Sequence, residues 1–394
     1  MEERALVLDG NQRAALAAVR SLGCRGLWIC VGEITDTSLS GCSRFCQSNE
    51  SYHDPYESPR QFFDDLCRII ETKKITFLLP ITEATTYAVL RYKSELPASV
   101  TLPLPDSDQV EMIANKNRLF RLALENGVPV PESIFCNNRQ EGLDAIGSVT
   151  SYPVVLKPAK SRILHDNCIE PTSVMAVHSR KQAEDALQQH AFFESPFTIQ
   201  KFVEGKGQGV FALYDRGHAV CFFAHRRLRE KPPEGGVSVL CESAPVPENL
   251  KQYARTLLDA ANWHGVAMVE FRVTPQGDPY LMEINPRFWG SLQLAIDSGV
   301  DFPYWLYQIT NGNELGNLPP QEHRRVRWLL GDLDRLYLVL KAPFSRYSLW
   351  SKLGSVFSFL RPTRKTRHEV NRLSDFRPFI YELKQYLKSL GPGR

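Results

Sequence analysis

Two glutamates stand at matching positions of two consecutive β-rich runs, residues 266–273 and 280–285. The linker between the runs contains two prolines and a glycine, which break a strand ladder and favour a turn, so the sequence predicts a hairpin. Pairing that is symmetric about this turn sets Glu270 directly opposite Glu283. The same alternation predicts two apolar faces, one made by Ala267, Val269, Phe271 and Val273 and the other by Tyr280, Met282 and Ile284.

Opposed glutamates in a sheet require a partner, because like charges roughly 5 Å apart destabilise the pairing. Asn285 lies on the same face as Glu283, and Arg287 follows two residues later. Mg²⁺, or Mn²⁺ in its place, accepts carboxylate and amide oxygens and would neutralise the two glutamates. Arg287 could then hold a phosphate or carboxylate through two guanidinium nitrogens. The alternative is a solvent-facing hairpin whose glutamates extend into water, and the spacing alone leaves both interpretations open.

The hairpin and the residues after it resemble a known signature. Val-Glu270-Phe followed by Leu-Met-Glu283-Ile-Asn285-Pro-Arg287 is similar to the metal-binding pattern of the ATP-grasp superfamily, and Phe-Trp-Gly-Ser291 is similar to its carboligase-like branch. The resemblance implies an α/β (α+β) fold in which an open parallel α/β domain precedes a two-lobed ATP-grasp domain. It also implies Glu270, Glu283 and Asn285 as Mg²⁺ ligands, and Arg287 as a catalytic residue that binds an acylphosphate.

The resemblance further implies a set of ATP-binding residues nearer the N-terminus. Lys116, in Ala-Asn-Lys116-Asn, and Lys157, at the end of the buried-strand pattern Pro-Val-Val-Leu-Lys157, match the family's phosphate-binding lysines. A lysine at the end of a buried strand is costly unless it meets an anion, although it can also extend into water. The connector that would bind adenine and ribose consists of Lys201, Phe202, Val203 and Glu204.

Two segments depart from the family pattern or extend it. Residues 160–170, where many family members carry a glycine-rich flap over the phosphates, contain no glycine. Between His225 and Ser238, four cations precede a Pro-Pro and Gly-Gly loop, which predicts a mobile anion-binding segment. The resemblance assigns Arg226 of this segment to the acylphosphate as a second catalytic residue. The alternative is a solvated basic loop.

The length of the chain, 394 residues, predicts two or three domains. Strand and helix patterns alternate over the first 110 residues, which predicts a small open parallel sheet, but the first turn lacks the GxGxxG of a dinucleotide site. We predict a Rossmann-like domain over residues 1–110, the catalytic domain over 111–320 and a basic, mostly helical extension over 321–394. One helix is predicted from Asp108 to Asn126.

Composition and charge constrain location and partners. From residue 321 onward the chain carries 16 Lys and Arg against 6 Asp and Glu, so its positive charge is concentrated in the tail. No apolar run reaches the roughly 20 residues of a membrane span, and nine scattered cysteines without a CxxC pair favour a reduced, cytoplasmic location. The apolar part of the tail, with Trp350, Phe357 and Phe359, is expected to pack on the catalytic body. A peripheral membrane contact and a homodimer surface are the alternatives.

The function that the resemblance implies is ATP-dependent ligation of small-molecule carboxylate and amine substrates. A carboxylate attacks the γ-phosphate, an acylphosphate forms, and the amine displaces phosphate. Such phosphoryl transfer depends on positioning and charge neutralisation, and no side chain need be a covalent nucleophile. Two alternatives stay open: an enzyme that forms carboxy- or carbamoyl phosphate from bicarbonate, and a catalytically silent, membrane-associated nucleotide-binding protein. The sequence has no nucleic-acid reading motif, so nucleic acid is not a predicted partner.

Overall fold

The first part of the chain is organised around a parallel sheet. The computed structural model describes residues 3–361 and 366–390. The elements of this part are β1 (Arg4–Val7), α1 (Arg13–Gly23), β2 (Trp28–Glu33), β3 (Ser48–Ser51), α2 (Pro59–Lys73), β4 (Phe77–Leu79), α3 (Glu83–Arg91) and a 3₁₀ turn (Lys93–Glu95). The strands are all parallel in the order β3-β2-β1-β4, and helices pack on both faces. The predicted open parallel sheet is confirmed.

Two short helices follow where the sequence predicts one. They are α4 (Ser107–Ala114) and α5 (Lys116–Glu125). The break occurs at Asn115, whose backbone is extended and whose side chain accepts hydrogen bonds from the amides of Asn117 and Arg118. Asparagine is among the most effective N-cap residues, so it ends one helix and begins the next. As a result Lys116 is the first residue of α5 and not a mid-helix residue.

An antiparallel four-stranded sheet, which we call the small lobe, comes next. Its elements are β5 (Ser133–Cys136), α6 (Arg139–Ile146), β6 (Val154–Pro158), β7 (Arg162–Leu164), β8 (Ile169–Pro171), β9 (Met175–Val177), α7 (Arg180–Gln189), a 3₁₀ turn (Ala191–Glu194) and β10 (Phe197–Lys201). The sheet order is β5-β10-β6-β9. The glycine-free residues 160–170 form a separate hairpin of β7 and β8, so the segment keeps ordered β structure without glycine.

A larger sheet, which we call the large lobe, contains the predicted glutamate hairpin. Its first elements are β11 (Lys206–Asp215), β12 (His218–Lys231), β13 (Val237–Ala244), α8 (Glu248–Ala260), β14 (Gly265–Val273) and β15 (Pro279–Asn285). The four cations that we predicted in a mobile segment between His225 and Ser238 lie instead in β12, which is paired with β13, and residues 232–236 form the loop between these strands. Ion pairs of Arg229 with Asp332 and of Lys231 with Asp334 fix the C-terminal end of β12.

The glutamate hairpin has the predicted register at its functional end and a different one near its turn. Glu270 pairs with Glu283, but the register then shifts by one residue, so Phe271 pairs with Leu281. One extra residue in β15 reverses which of its side chains face the core. Leu281 and Ile284 therefore pack with the core against α8, whereas Tyr280 and Met282, which we predicted on the apolar face, lie outside that core.

The rest of the chain adds helices and two more strands. Its elements are α9 (Leu292–Asp297), α10 (Phe302–Thr310), β16 (Arg325–Arg327), α11 (Leu329–Lys341), α12 (Leu349–Leu360), β17 (Thr366–His368) and α13 (Arg377–Ser389). The extension is mostly helical, as predicted, and β16 and β17 complete the seven-stranded order β15-β14-β11-β12-β13-β16-β17. The proposed domain divisions near residues 110 and 320 stay predictions.

The apolar side chains of α12 do not pack as predicted. Trp350 is 81% exposed and Phe357 is 69% exposed, while Phe359 lies under the guanidinium of Arg327, whose carbon is 4.1 Å from the ring centroid. The prediction that the whole apolar stretch packs on the catalytic body is therefore wrong for Trp350 and Phe357, two of its three aromatic residues. No helix in the described part of the chain combines the length and the apolar character that a membrane crossing requires.

The segment before α13 binds back onto the first sheet. Asp375, 3% exposed, accepts hydrogen bonds from Arg20 Nε at 2.8 Å, from Ser43 Oγ at 2.8 Å and from the Arg44 amide at 2.9 Å. Arg20 also donates to the carbonyls of Glu369 and Asp375. Because these groups are buried and mutually satisfied, they fix the end of the chain to α1.

Candidate functional site

The site begins with the opposed glutamates of β14 and β15. Asn285 Nδ2 donates to Glu270 Oε1 at 3.1 Å and to Glu283 Oε1 at 3.3 Å, so the amide lies between the two carboxylates. Arg287 Nη2 donates to the opposite atom of this amide, Asn285 Oδ1, at 3.1 Å. The hairpin thus brings all four signature residues together. The solvent-facing alternative does not hold, because both carboxylates bond to neighbouring side chains.

Two lysines from other elements converge on the same pair. Lys116, 3% exposed at the start of α5, has its Nζ 3.3 Å from Glu283 Oε2 and 3.2 Å from Ser161 Oγ. Lys157, 8% exposed in β6, has its Nζ 3.7 Å from Met282 Sδ. The register shift in β15 explains the second contact, since it turns Met282 away from the core and toward the small lobe. The large lobe thus supplies carboxylates and the small lobe supplies a cation.

The pKa values reflect this clustering of charge. Burial and then the charge of Glu283 raise the pKa of Glu270. Burial also opposes ionisation of Glu283, but Lys116 and Lys157 outweigh it and hold the pKa of that carboxyl below its usual value. Burial lowers the pKa of Lys157 to about 8, although Glu283 acts in the opposite direction. Near pH 8 such a lysine is only partly protonated, and an anion bound beside it would favour the charged form.

Arg226, which we predicted at the acylphosphate, pairs with a residue of the neighbouring strand. Arg226 Nε donates to Glu242 Oε1 at 2.9 Å, and Glu242 is its direct partner across β13. Successive strand residues point to opposite faces, so Arg227 takes the face of Glu270, and its Nη2 lies 3.3 Å from Glu270 Oε2.

The donor set fits a magnesium ion. Two half-buried carboxylates of like charge gain from a shared cation, and a half-turn of the Asn285 amide would present Oδ1 in place of Nδ2 as a third oxygen. Within residues 3–361 and 366–390, no three His, Cys, Asp or Glu side chains form a metal-binding group. The candidate site therefore has few protein ligands, which is typical of Mg²⁺ that also binds phosphate oxygens. Glu270, Glu283 and Asn285 would hold the ion.

A cavity of about 490 Å³ borders the connector between the lobes. Phe202 is 43% exposed and lines this cavity together with Tyr280 of β15. The same cavity is bordered by the remaining connector residues, Lys201, Val203 and Glu204. Exposed aromatic rings beside a polar rim suit a flat heteroaromatic ring with a polar substituent. All four predicted adenine-binding residues therefore reach one cavity.

A second cavity, of about 820 Å³, opens where β11 and β12 separate. The two strands pair only from Val210 and Ala224 toward their turn, so residues 205–209 and the far half of β12 diverge. Arg226 and Arg227 border this cavity, as does His225, whose Nδ1 lies 3.0 Å from Ser291 Oγ. Burial lowers the pKa of His225 to about 3, so its imidazole is neutral near neutral pH.

Several residues of the site were not predicted from the sequence. Arg227 and Met282 required the strand register. Arg272 also borders the larger cavity, and its Nη1 donates to the carbonyl of Gly205 at 3.1 Å. Each of these contacts joins segments that are distant in sequence, so no local pattern reports them.

Comparisons with known proteins agree with this geometry. A protein-family model described as "ATP-grasp in the biosynthetic pathway with Ter operon" matches residues 194–331. The carbamoyl phosphate synthase large chain of Thermomicrobium roseum is 27% identical over 282 residues, which are 69% of this chain and 24% of that protein. The chain spans less than half the length of the curated relatives that we compared with it.

Solved structures extend the comparison to the fold. Biotin carboxylase from Campylobacter jejuni is 15% identical with a TM-score of 0.64, and the match covers 82% of this chain and 74% of that one. L-amino acid ligase from Bacillus licheniformis is 16% identical with a TM-score of 0.60, covering 82% of this chain and 79% of that one. At these identities the likeness establishes the fold alone.

Proposed function

We propose that this chain, as a member of the ATP-grasp superfamily, is an ATP- and Mg²⁺-dependent ligase. It would activate a carboxylate as an acylphosphate and transfer the acyl group to an amine, with release of ADP and phosphate. The observation that carries this proposal is the convergence of the charges of Lys116 and Lys157 on Glu283, which lies opposite Glu270. Its test is release of ADP that depends on both a carboxylate and an amine.

Each part of the site has a task in this reaction. The smaller cavity would hold adenine and ribose, and Lys116 and Lys157 would bind the phosphates. Glu270 and Glu283 would hold Mg²⁺, which would supply charge neutralisation for the phosphoryl group. Arg287 and Arg227 would hold the carboxylate and the acylphosphate that forms from it, since each guanidinium lies at the metal-binding residues.

The acyl acceptor would enter through the larger cavity. Arg226 also borders this cavity and would attract an acidic group on the acceptor. The neutral imidazole of His225 can accept or donate one hydrogen bond without adding charge. A cavity of about 820 Å³ accommodates a small molecule. Small-molecule carboxylate and amine substrates are therefore the proposed partners, and a homodimer and a peripheral membrane contact stay predictions.

A second candidate follows from the relative in Thermomicrobium roseum, which is a carbamoyl phosphate synthase large chain. In that case bicarbonate replaces the carboxylate, and carboxyphosphate is the product of the first step. The same lysines, glutamates and arginines would serve, because the two chemistries differ in the group that attacks the γ-phosphate. A cytoplasmic location is proposed for either enzyme, and it is supported by nine cysteines that are all free thiols.

Binding of ATP is expected to be coupled to protonation of Lys157. With a pKa of about 8 in the free protein, Lys157 loses its proton as pH rises through 8. Phosphates favour the charged form, so ATP binding between pH 8 and 9 should take up several tenths of a proton, and affinity should fall by up to about tenfold per unit above pH 8. Calorimetric titration with ATP and Mg²⁺ in buffers of different ionisation enthalpy measures this uptake.

Two variants make this titration decisive. Lys157→Arg keeps a cation that does not titrate in this range, so proton uptake should disappear. Lys181→Arg, on the exposed side of α7, should behave as the unchanged protein does. Equal proton uptake in the Lys157→Arg protein would assign the effect to another group, and an absence of ATP binding at any pH would contradict the proposed nucleotide site.

A further inference from the structure

A third cavity, of about 510 Å³, lies under the C-terminal extension and belongs to no part of the site described above. It is enclosed by the outer strands β12, β13, β16 and β17 and by α12. Four arginines line it, namely Arg229, Arg325, Arg327 and Arg361. Among its lining residues in the described part of the chain, none is acidic.

The cavity lies on the face of the large sheet that points away from the glutamate pair. Cys241 of β13 packs in the core shared with the first sheet, and its cross-strand partner Arg227 reaches Glu270 from that face. The preceding residue of β13, Leu240, points to the other face of the sheet. Its cross-strand partners Arg229 and Arg327 point to that face as well. The sheet itself therefore separates this cavity from the nucleotide and metal residues.

Buried donors in the cavity wall lack acceptors. The Arg229 side chain is 9% exposed; Nη2 donates to Asp332 at 2.6 Å and Nη1 to the Ser358 carbonyl at 3.1 Å, but the buried Nε has no partner among the described residues. The same holds for Arg327 Nη2 within residues 3–361 and 366–390, and His368 Nδ1, a donor or an acceptor according to its tautomer, also has no partner there. A buried donor without an acceptor costs about 1–3 kcal/mol, so the two arginine nitrogens together point to a ligand.

The charge balance of the wall favours an anion. Asp332 is shared by Arg229 and Arg327, and Glu242 is shared by Arg325 and Arg226. Two carboxylates thus form ion pairs with four arginines of the cavity and its edge, and Arg361 adds a further positive charge. Burial, together with the charges of the neighbouring Arg327, Arg335 and Arg325, lowers the pKa of Arg229 despite Asp332. A bound anion would relieve this repulsion.

We propose that this cavity binds a phosphate group, at a site separate from the nucleotide cleft. Guanidinium groups hold phosphate oxygens through pairs of parallel hydrogen bonds, and the unpartnered nitrogens of Arg229 and Arg327 supply such donors. The phosphate has two possible sources, a free phosphorylated metabolite or the headgroup of a phospholipid. The second source is relevant because α12, which lines the cavity through Ser358 and Leu360, also exposes Trp350 and Phe357 to solvent.

The test uses the full-length protein and two phosphate probes at constant ionic strength. Pyrophosphate binding is measured by calorimetry without Mg²⁺, and vesicle binding is measured by sedimentation with phosphatidic acid in phosphatidylcholine against phosphatidylcholine alone. Arg229→Lys keeps the charge opposite Asp332 and removes the Nε–H fork, and Arg361→Ala alters an exposed side chain without a role in the core. Arg180→Ala, on α7, is the matched control for loss of one exposed arginine.

Affinity for at least one probe should fall tenfold or more in Arg229→Lys and in Arg361→Ala, and by less than twofold in Arg180→Ala. Loss confined to pyrophosphate identifies a free metabolite as the source, and loss confined to vesicles identifies a headgroup. The proposal is overturned if neither probe binds, if the two cavity variants bind as tightly as the unchanged protein, or if Arg180→Ala loses as much affinity as they do.

Discussion

Replacing Glu283 with glutamine should lower turnover by two or more orders of magnitude and leave the fold intact. The carboxylate is one of three proposed Mg²⁺ ligands, so its loss removes charge neutralisation at the transferring phosphoryl group, at a cost to the barrier on the order of 3 kcal/mol or more. Two opposing effects act on the free protein: repulsion with Glu270 disappears, but Lys116 and Lys157 lose their counterion. Stability should therefore change by about 1 kcal/mol or less.

Steady-state ADP release and urea unfolding, measured on the same preparation, separate the two effects. Glu184→Gln on α7 is the matched control, because it makes the same chemical change at a residue whose contact is an ion pair with Arg180 within the helix. That control should retain both activity and stability. A Glu283→Gln protein that keeps full ATP-dependent activity, or that unfolds, would contradict the role assigned to this carboxylate.

The opposite pattern is expected for Asp375, where stability and not catalysis should be lost. Asp375→Ala removes the acceptor of Arg20 Nε, Ser43 Oγ and the Arg44 amide, and leaves a buried guanidinium without its counterion. Breaking a buried pair in this way costs about 3 kcal/mol or more, with the remaining backbone acceptors of Arg20 limiting the loss. Urea unfolding measures the change in the free energy of unfolding.

Asp166→Ala is a suitable control for this change, since its side chain is 98% exposed and its ion pair with Arg91 is a surface pair. Such a pair contributes about 1 kcal/mol at most. The fraction of Asp375→Ala protein that is folded should have normal turnover, because the network lies away from the glutamate hairpin. A stable Asp375→Ala protein would show that the C-terminal segment is not held by this network.

The sequence predicted the parts of the fold that local patterns determine. Period-two apolar runs around a Pro- and Gly-containing turn specified the hairpin and the pairing of Glu270 with Glu283. The same pattern could not reveal the extra residue in β15, because a bulge changes the faces without changing the composition. The break between α4 and α5 was missed for a related reason. Asn115 caps a helix there, but asparagine also occurs within helices.

Contacts between distant segments account for most of what the sequence left open. The resemblance predicts Lys116 and Lys157 as phosphate-binding residues. In the structure Lys116 contacts Glu283 and Lys157 contacts Met282, and both contacted residues belong to β15. Arg227 was missed in favour of its neighbour Arg226, since only the pairing of β12 with β11 and β13 decides which arginine faces the glutamates. The short strands β16 and β17 form by pairing at the edge of the large sheet, and no local sequence pattern predicts that pairing.

The most direct test of the proposed activity is chemical trapping of the acylphosphate. The protein is incubated with ATP, Mg²⁺, hydroxylamine and individual carboxylates, because hydroxylamine converts an acylphosphate to a hydroxamate and phosphate whatever the natural amine is. Hydroxamate and ADP are expected in equal amounts with at least one carboxylate, and neither product is expected above background with Glu283→Gln. ADP release that requires only bicarbonate would favour the carboxyphosphate enzyme instead, and an absence of ADP release with every carboxylate and with bicarbonate would contradict the ligase.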